Sequence, residues 1–175
     1  MRREIEKDNR GFSLVELIVV VLIMAIVAVA LAPQVIKWVE NSRISSDLQT
    51  RTNIENACIL AMTEEAAFDM VKNGGYEIII KKDKNTGRVS FSYKIRHGDD
   101  VQTCDKNDPA LLNDAFWQNF IKVGNYNSFD AFEASITIKS TPVKGQDIVL
   151  DVHVFEGGYT FSDLVGVAGE DLGVS

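Results

Sequence analysis

Cysteine and histidine are scarce in this chain: two of each occur among 175 residues. Two cysteines, Cys58 and Cys104, are too few for a disulfide-dense scaffold. The histidines, His97 and His153, lie 56 positions apart with no ligand spacing around either, so the sequence holds no zinc motif. A nucleotide-binding loop, a base-activated nucleophile motif and a convincing carboxylate dyad are also missing. The expectation is therefore a protein that is not an enzyme and uses neither cofactor nor metal. Positive charge is in short supply as well. With 18 basic against 25 acidic side chains the net charge is −7, which makes nucleic acid an unlikely main partner.

What the chain does have is one long hydrophobic run. Residues 12–32 read FSLVELIVVVLIMAIVAVALA, and residues 17–32 contain no polar side chain. Twenty-one helical residues rise about 31 Å, roughly the thickness of a bilayer's hydrocarbon layer. A single segment in lipid must satisfy its backbone internally, so the β-branched content does not prevent a helix there. The preceding residues, MRREIEKDNRG, are charged, and Arg2, Arg3, Lys7 and Arg10 favour a cytoplasmic position for this end. Glu16 is the anomaly, because a carboxylate in an apolar helix needs a headgroup, a cation or a proton beside it.

The string Gly11-Phe12-Ser13-Leu14-Val15-Glu16, continued by Leu17-Ile18-Val19-Val20, resembles the class III signal of type IV pilins and pseudopilins. Glycine, an aromatic residue, a glutamate four positions further on and an uninterrupted apolar continuation stand in register. The resemblance covers residues 1 to about 60. It implies cleavage by a prepilin peptidase between Gly11 and Phe12, N-methylation of Phe12, and a role for Glu16 in assembly and register. The ammonium freed at Phe12 is a natural partner for that carboxylate, in its own chain or in a neighbour. Removing residues 1–11 takes away four basic and three acidic side chains and leaves a charge of −8. A conventional secretory signal is the competing reading, with cleavage near Leu31, but Glu16 and the length of the apolar run stand against it.

Pro33 lacks an amide hydrogen, which predicts a kink or a local opening of the helix; a proline at this offset is common in the family. Beyond it, Val35, Val39, Ile44, Leu48, Ile54, Cys58, Ala61 and Phe68 approximate one apolar stripe, and Gly74-Gly75 is the expected helix end. Trp38 reads as an interfacial anchor or a filament-packing residue. Strands are expected at 76–82 and 88–95 around the turn DKNTG, and at 132–140 and 147–155, with a short edge strand at Tyr159 to Phe161. Between these pairs, Asp108-Pro109 reads as a helix N-cap, followed by one amphipathic helix or two short pieces up to Gly124. Cys58 and Cys104 have 45 residues between them. A bond would clamp the loop before the second helix, with the intervening hairpin, to the long helix, and two reduced buried thiols are the alternative. Asp105-Lys106-Asn107-Asp108 and Glu170-Asp171 do not form a spaced calcium loop.

The predicted architecture is α+β: a type IV pilin-like fold with a long N-terminal helical spine packed against an antiparallel sheet of four to five strands. Its expected divisions are a cleaved leader at 1–11, a transmembrane or filament-core half at 12–33, the rest of the long helix at 34–73 and a globular head at 74–175. The resemblance implies a homo-oligomeric helical filament for surface adhesion or motility. It also implies partners: the cytoplasmic membrane before assembly, a prepilin peptidase, a platform protein and an assembly ATPase. The precursor would sit in the cytoplasmic membrane with an extracytoplasmic head, then move to a surface pilus. A pseudopilin or minor pilin of a type II secretion or DNA-uptake machine shares this logic. A membrane-anchored extracellular binding module is the reading from a different class.

Overall fold

The computed structural model describes residues 13–72, 74–97, 99–142, 145–155 and 160–166. The Gly11–Phe12 junction, Gly157-Gly158 and Glu170-Asp171 lie outside the described residues. The chain divides into two compact units, residues 1–39 and 40–175.

In the first unit the described chain is almost wholly helix. Helix α1 spans Leu14–Ala61; its residues 14–39 rise about 39 Å. Every residue from 13 to 39 is exposed. The most apolar 18-residue stretch has a mean hydropathy of 3.2. An apolar surface on all sides is what a membrane or filament-core helix presents, whereas a helix lying on a globular core needs only one apolar stripe.

The second unit builds its own core. Sheet strands β1 (Gly74–Lys82), β2 (Val89–His97), β3 (Asp100–Cys104), β4 (Ile148–Phe155) and β5 (Thr160–Val165) are arranged in the order β3-β2-β1-β4-β5. All neighbours are antiparallel. Alternation gives the sheet two different faces. Tyr76, Ile78 and Ile80 of β1 and Ile148, Leu150, Val152 and Val154 of β4 are buried, and they share one core with Ile54, Ala57, Cys58 and Ala61 of α1. An aromatic layer completes it, with Phe116, Trp117 and Phe120 from α4 (Ala115–Val123) and Phe129 and Phe132 from α5 (Phe129–Ser135). Ring pairs are edge-on or stacked, for instance Tyr76 on Phe116 at 4.2 Å between centroids and Trp117 against Tyr93 at 5.4 Å.

The long helix ends earlier than its glycines suggest. α1 stops at Ala61, and a second helix, α2 (Glu65–Lys72), follows. The last carbonyls of α1 find other donors: Thr63 gives both its amide and its hydroxyl to the Leu60 carbonyl, and the Asn119 side chain donates to the Ala61 carbonyl at 2.7 Å. Gly74 and Gly75 belong to β1 instead of capping a helix. Gly74 is required by close strand approach, since a Cβ there would lie 1.7 Å from the Arg96 carbonyl oxygen.

Two further expectations are corrected. Residues 132–140 do not form a strand; Ser128 caps α5 by accepting the Ala131 amide, and Phe129 and Phe132 point into the core from that helix at i, i+3 spacing. β3 was not expected, because its residues DVQTC are mostly exposed and carry no apolar alternation. The Asp108 cap and the two-piece helix are as expected: α3 (Pro109–Leu112) is followed by α4, capped in turn by Asp114.

Candidate functional site

The first concentration of chemistry is the start of α1. Ser13 precedes the helix, and its amide donates to Glu16 Oε2 at 2.9 Å. A glutamate at the third helical position reaching back to the cap residue's amide is one half of a capping box. Glu16 therefore has a local role in the uncleaved chain: it satisfies one of the donors that every helix start leaves open. The bond spans three residues, Ser13 to Glu16, one short of the Phe12-to-Glu16 spacing noted in the sequence. Further along, α1 runs through Pro33 as continuous helix. Pro33 has no amide to offer the Val29 carbonyl, so this turn is one hydrogen bond short. Trp38 is 62% exposed, in line with the surface around it.

A second concentration lies within the head unit, on residues 40–47 of α1. Asp47 is fully buried and accepts the Lys139 amide at 2.7 Å, the Ser140 amide at 2.8 Å and the Ser140 hydroxyl. Glu40, one face-repeat earlier, accepts the Thr141 amide at 2.5 Å and its hydroxyl at 2.9 Å. Lys82 on β1 donates to the Ile138 and Ser140 carbonyls, both at 2.8 Å. The amides of Lys139, Ser140 and Thr141 thus donate to side-chain carboxylates, where a strand would give them to a ladder. Burial pushes the Glu40 carboxyl up, but the Thr141 donors and then Arg43 outweigh it and leave it below the ordinary carboxylate value. The apolar stripe read from the sequence includes Leu48; Leu48 is exposed and its neighbour Asp47 is the buried residue. Only a fixed set of donors from Lys139 and Ser140, invisible in the sequence, makes a buried carboxylate favourable at this position.

The cysteine clamp is not formed. Cys58 and Cys104 are free and buried. They have different surroundings: Cys58 on α1 lies near Glu55 and Tyr126, and Cys104 at the end of β3 lies near Asp105, Asp108 and Asp114. Burial drives the Cys58 thiol far up, and burial with nearby carboxylates raises that of Cys104 to about 11. Both are inert packing thiols at neutral pH.

Sequence spacing missed a third cluster. Glu77 of β1 stands opposite His153 of β4, and Asp151 shares the same sheet face two residues away. His153 Nε2 is 3.0 Å from Asp151 Oδ2, and its Nδ1 is 3.9 Å from Glu77 Oε2. Register brings together residues that are 76 positions apart in the chain, which no local motif records.

Residues 7–32 match the family model described as the prokaryotic N-terminal methylation motif. No curated protein and no solved structure matches the chain significantly. The matched stretch runs from the charged leader through Glu16 to the end of the apolar run, and it continues into a long helix whose head pairs helix with antiparallel sheet. The chain is accordingly a pilin- or pseudopilin-like, membrane-anchored protein carrying a class III prepilin-type signal sequence.

Proposed function

We propose that the chain is a structural subunit of a type IV pilus, made as a single-pass precursor, cleaved between Gly11 and Phe12 and polymerised through the apolar half of α1. The observation that carries this reading is the stretch 14–39, continuous helix exposed at every position. An apolar surface of this extent is not stable in water as a monomer's exterior. The bilayer covers it first, and neighbouring helices cover it in a helical, non-closing array. Methylation of the new Phe12 terminus accompanies processing. Pro33, one hydrogen bond short, is where the helix bends to fit that packing.

Glu16 sets the axial register. In its own chain it holds the Ser13 amide through one oxygen. In the filament it also faces the Phe12 ammonium of a neighbour, and a subunit inserted at the wrong height leaves a carboxylate buried alone. The role is structural, with surface adhesion or motility as the output and a prepilin peptidase, platform protein and assembly ATPase as partners. Glu16→Ala is expected to insert into the membrane at wild-type levels while filament yield falls to background in sheared-surface preparations. Wild-type filament yield from that variant contradicts the register role. Wild-type cells that yield only short periplasmic assemblies, with no sheared surface filaments, would assign the chain to a secretion pseudopilus.

A further inference from the structure

The outer face of the sheet, turned away from the aromatic core, carries an unusual group. Glu77, on the central strand β1, has Lys94 of β2 as its register partner on one side and His153 of β4 on the other. Lys94 Nζ takes Glu77 Oε1 at 2.7 Å, which leaves Oε2 directed at the imidazole. Asp151 holds His153 Nε2 through Oδ2, while its Oδ1 is buried with no hydrogen-bond partner among the described residues. One ligand atom from each of Glu77, Asp151 and His153 lies within 4.8 Å of the other two. Beside them is a void of about 20 Å³ lined by Glu77, His153, Lys94 and Arg96. A space of this size takes one water or one ion.

The geometry points to a divalent transition-metal site of the zinc class, formed by Glu77, Asp151 and His153. Three features of the group are left over by a purely structural role. A buried carboxylate oxygen without a donor carries an uncompensated desolvation penalty, and a cation between the strands removes it. One imidazole nitrogen and two carboxylates form a borderline donor set that suits zinc better than calcium or magnesium, which favour all-oxygen shells. Three protein ligands leave a fourth position open to water.

Lys94 stays on Glu77 Oε1 as an outer partner, and with Arg96 it lowers affinity by adding positive charge next to the ion. That opposition gives the site a distinctive signature: removing Lys94 should tighten metal binding.

The test uses the full chain in detergent, stripped of metal and titrated with Zn²⁺ by calorimetry. One equivalent is expected to bind, and excess Ca²⁺ is not expected to displace it. His153→Ala and Asp151→Asn should each weaken binding about tenfold or more, Lys94→Met should strengthen it, and His97→Ala should leave it unchanged. Metal-free melting curves establish whether each variant is folded. If a ligand variant fails to fold, the wild-type His153 ring resonances decide the matter: they should shift on Zn²⁺ addition, with those of His97 still. Absence of stoichiometric binding, binding unaffected by His153→Ala in a folded chain, or ring shifts confined to His97 overturns the site.

Discussion

Along residues 14–39 every side chain is exposed and nearly all are apolar, whereas in the head Phe116, Trp117, Phe120 and Phe132 have no exposed surface at all. Both regions are rich in large hydrophobic groups, yet only one covers them from within. The head is held by its own packing. The helix half depends on what surrounds it, first lipid and then its neighbours, so its apolar groups serve location and assembly and contribute nothing to the head's stability. The charged groups divide in the same way: residues 14–39 contain only Glu16 and Lys37 as ionisable side chains, and the head uses buried carboxylates as anchors.

This contrast is sharpened most by paired truncations. Phe132→Ala removes a ring packed against Phe120, Phe91 and Tyr126, and head stability should drop by about 3–5 kcal/mol in thermal melts. Leu22→Ala, on the exposed helix, should leave that melt within about 0.5 kcal/mol of wild type and weaken filaments instead. A comparable loss of head stability in both variants would break the division between the regions.

Asp47→Ala comes next. It strands two backbone amides and a hydroxyl in a buried place, and a loss of about 3 kcal/mol is expected, with faster hydrogen exchange at the Lys139 and Ser140 amides. An unchanged exchange rate would show that segment 136–141 is held by something other than this carboxylate. The smallest effect is that of acid on Glu40. Its carboxyl is lowered in the folded chain, so its contribution is present above the ordinary value of 4.5 and is lost as the pH falls through the folded value. Exchange of the Thr141 amide should quicken below about pH 4.5, while the helical signal of residues 14–39, measured in detergent, stays level.

Legibility in the sequence followed the same division. The apolar run, Glu16 and Gly11-Phe12 are local signals, and the helix from Leu14 and the matched motif agree with them. β1 and β2 were legible from the turn DKNTG between them, β4 from alternation, and Asp108-Pro109 from cap chemistry. Residues 132–140 misled because Phe132, Ala134, Ile136 and Ile138 alternate as a strand does, but Ser128 starts a helix just upstream and long-range acceptors take the remaining backbone. The stop at Ala61 was hidden for a related reason: its capping donor, Asn119, is 58 residues away. Gly74 was read as a cap when it is needed for strand approach. The buried Asp47 and the Glu77, Asp151 and His153 cluster were out of reach, since both are created by pairing between distant segments.

The central claim is that the 14–39 helix is covered by copies of itself after processing at Gly11–Phe12, and mass spectrometry of sheared surface filaments tests it most directly. The account predicts abundant filaments composed of this chain, each subunit beginning at an N-methylated Phe12. Filaments lacking the chain, or a mature protein that begins at Met1 or near Leu31, would contradict it.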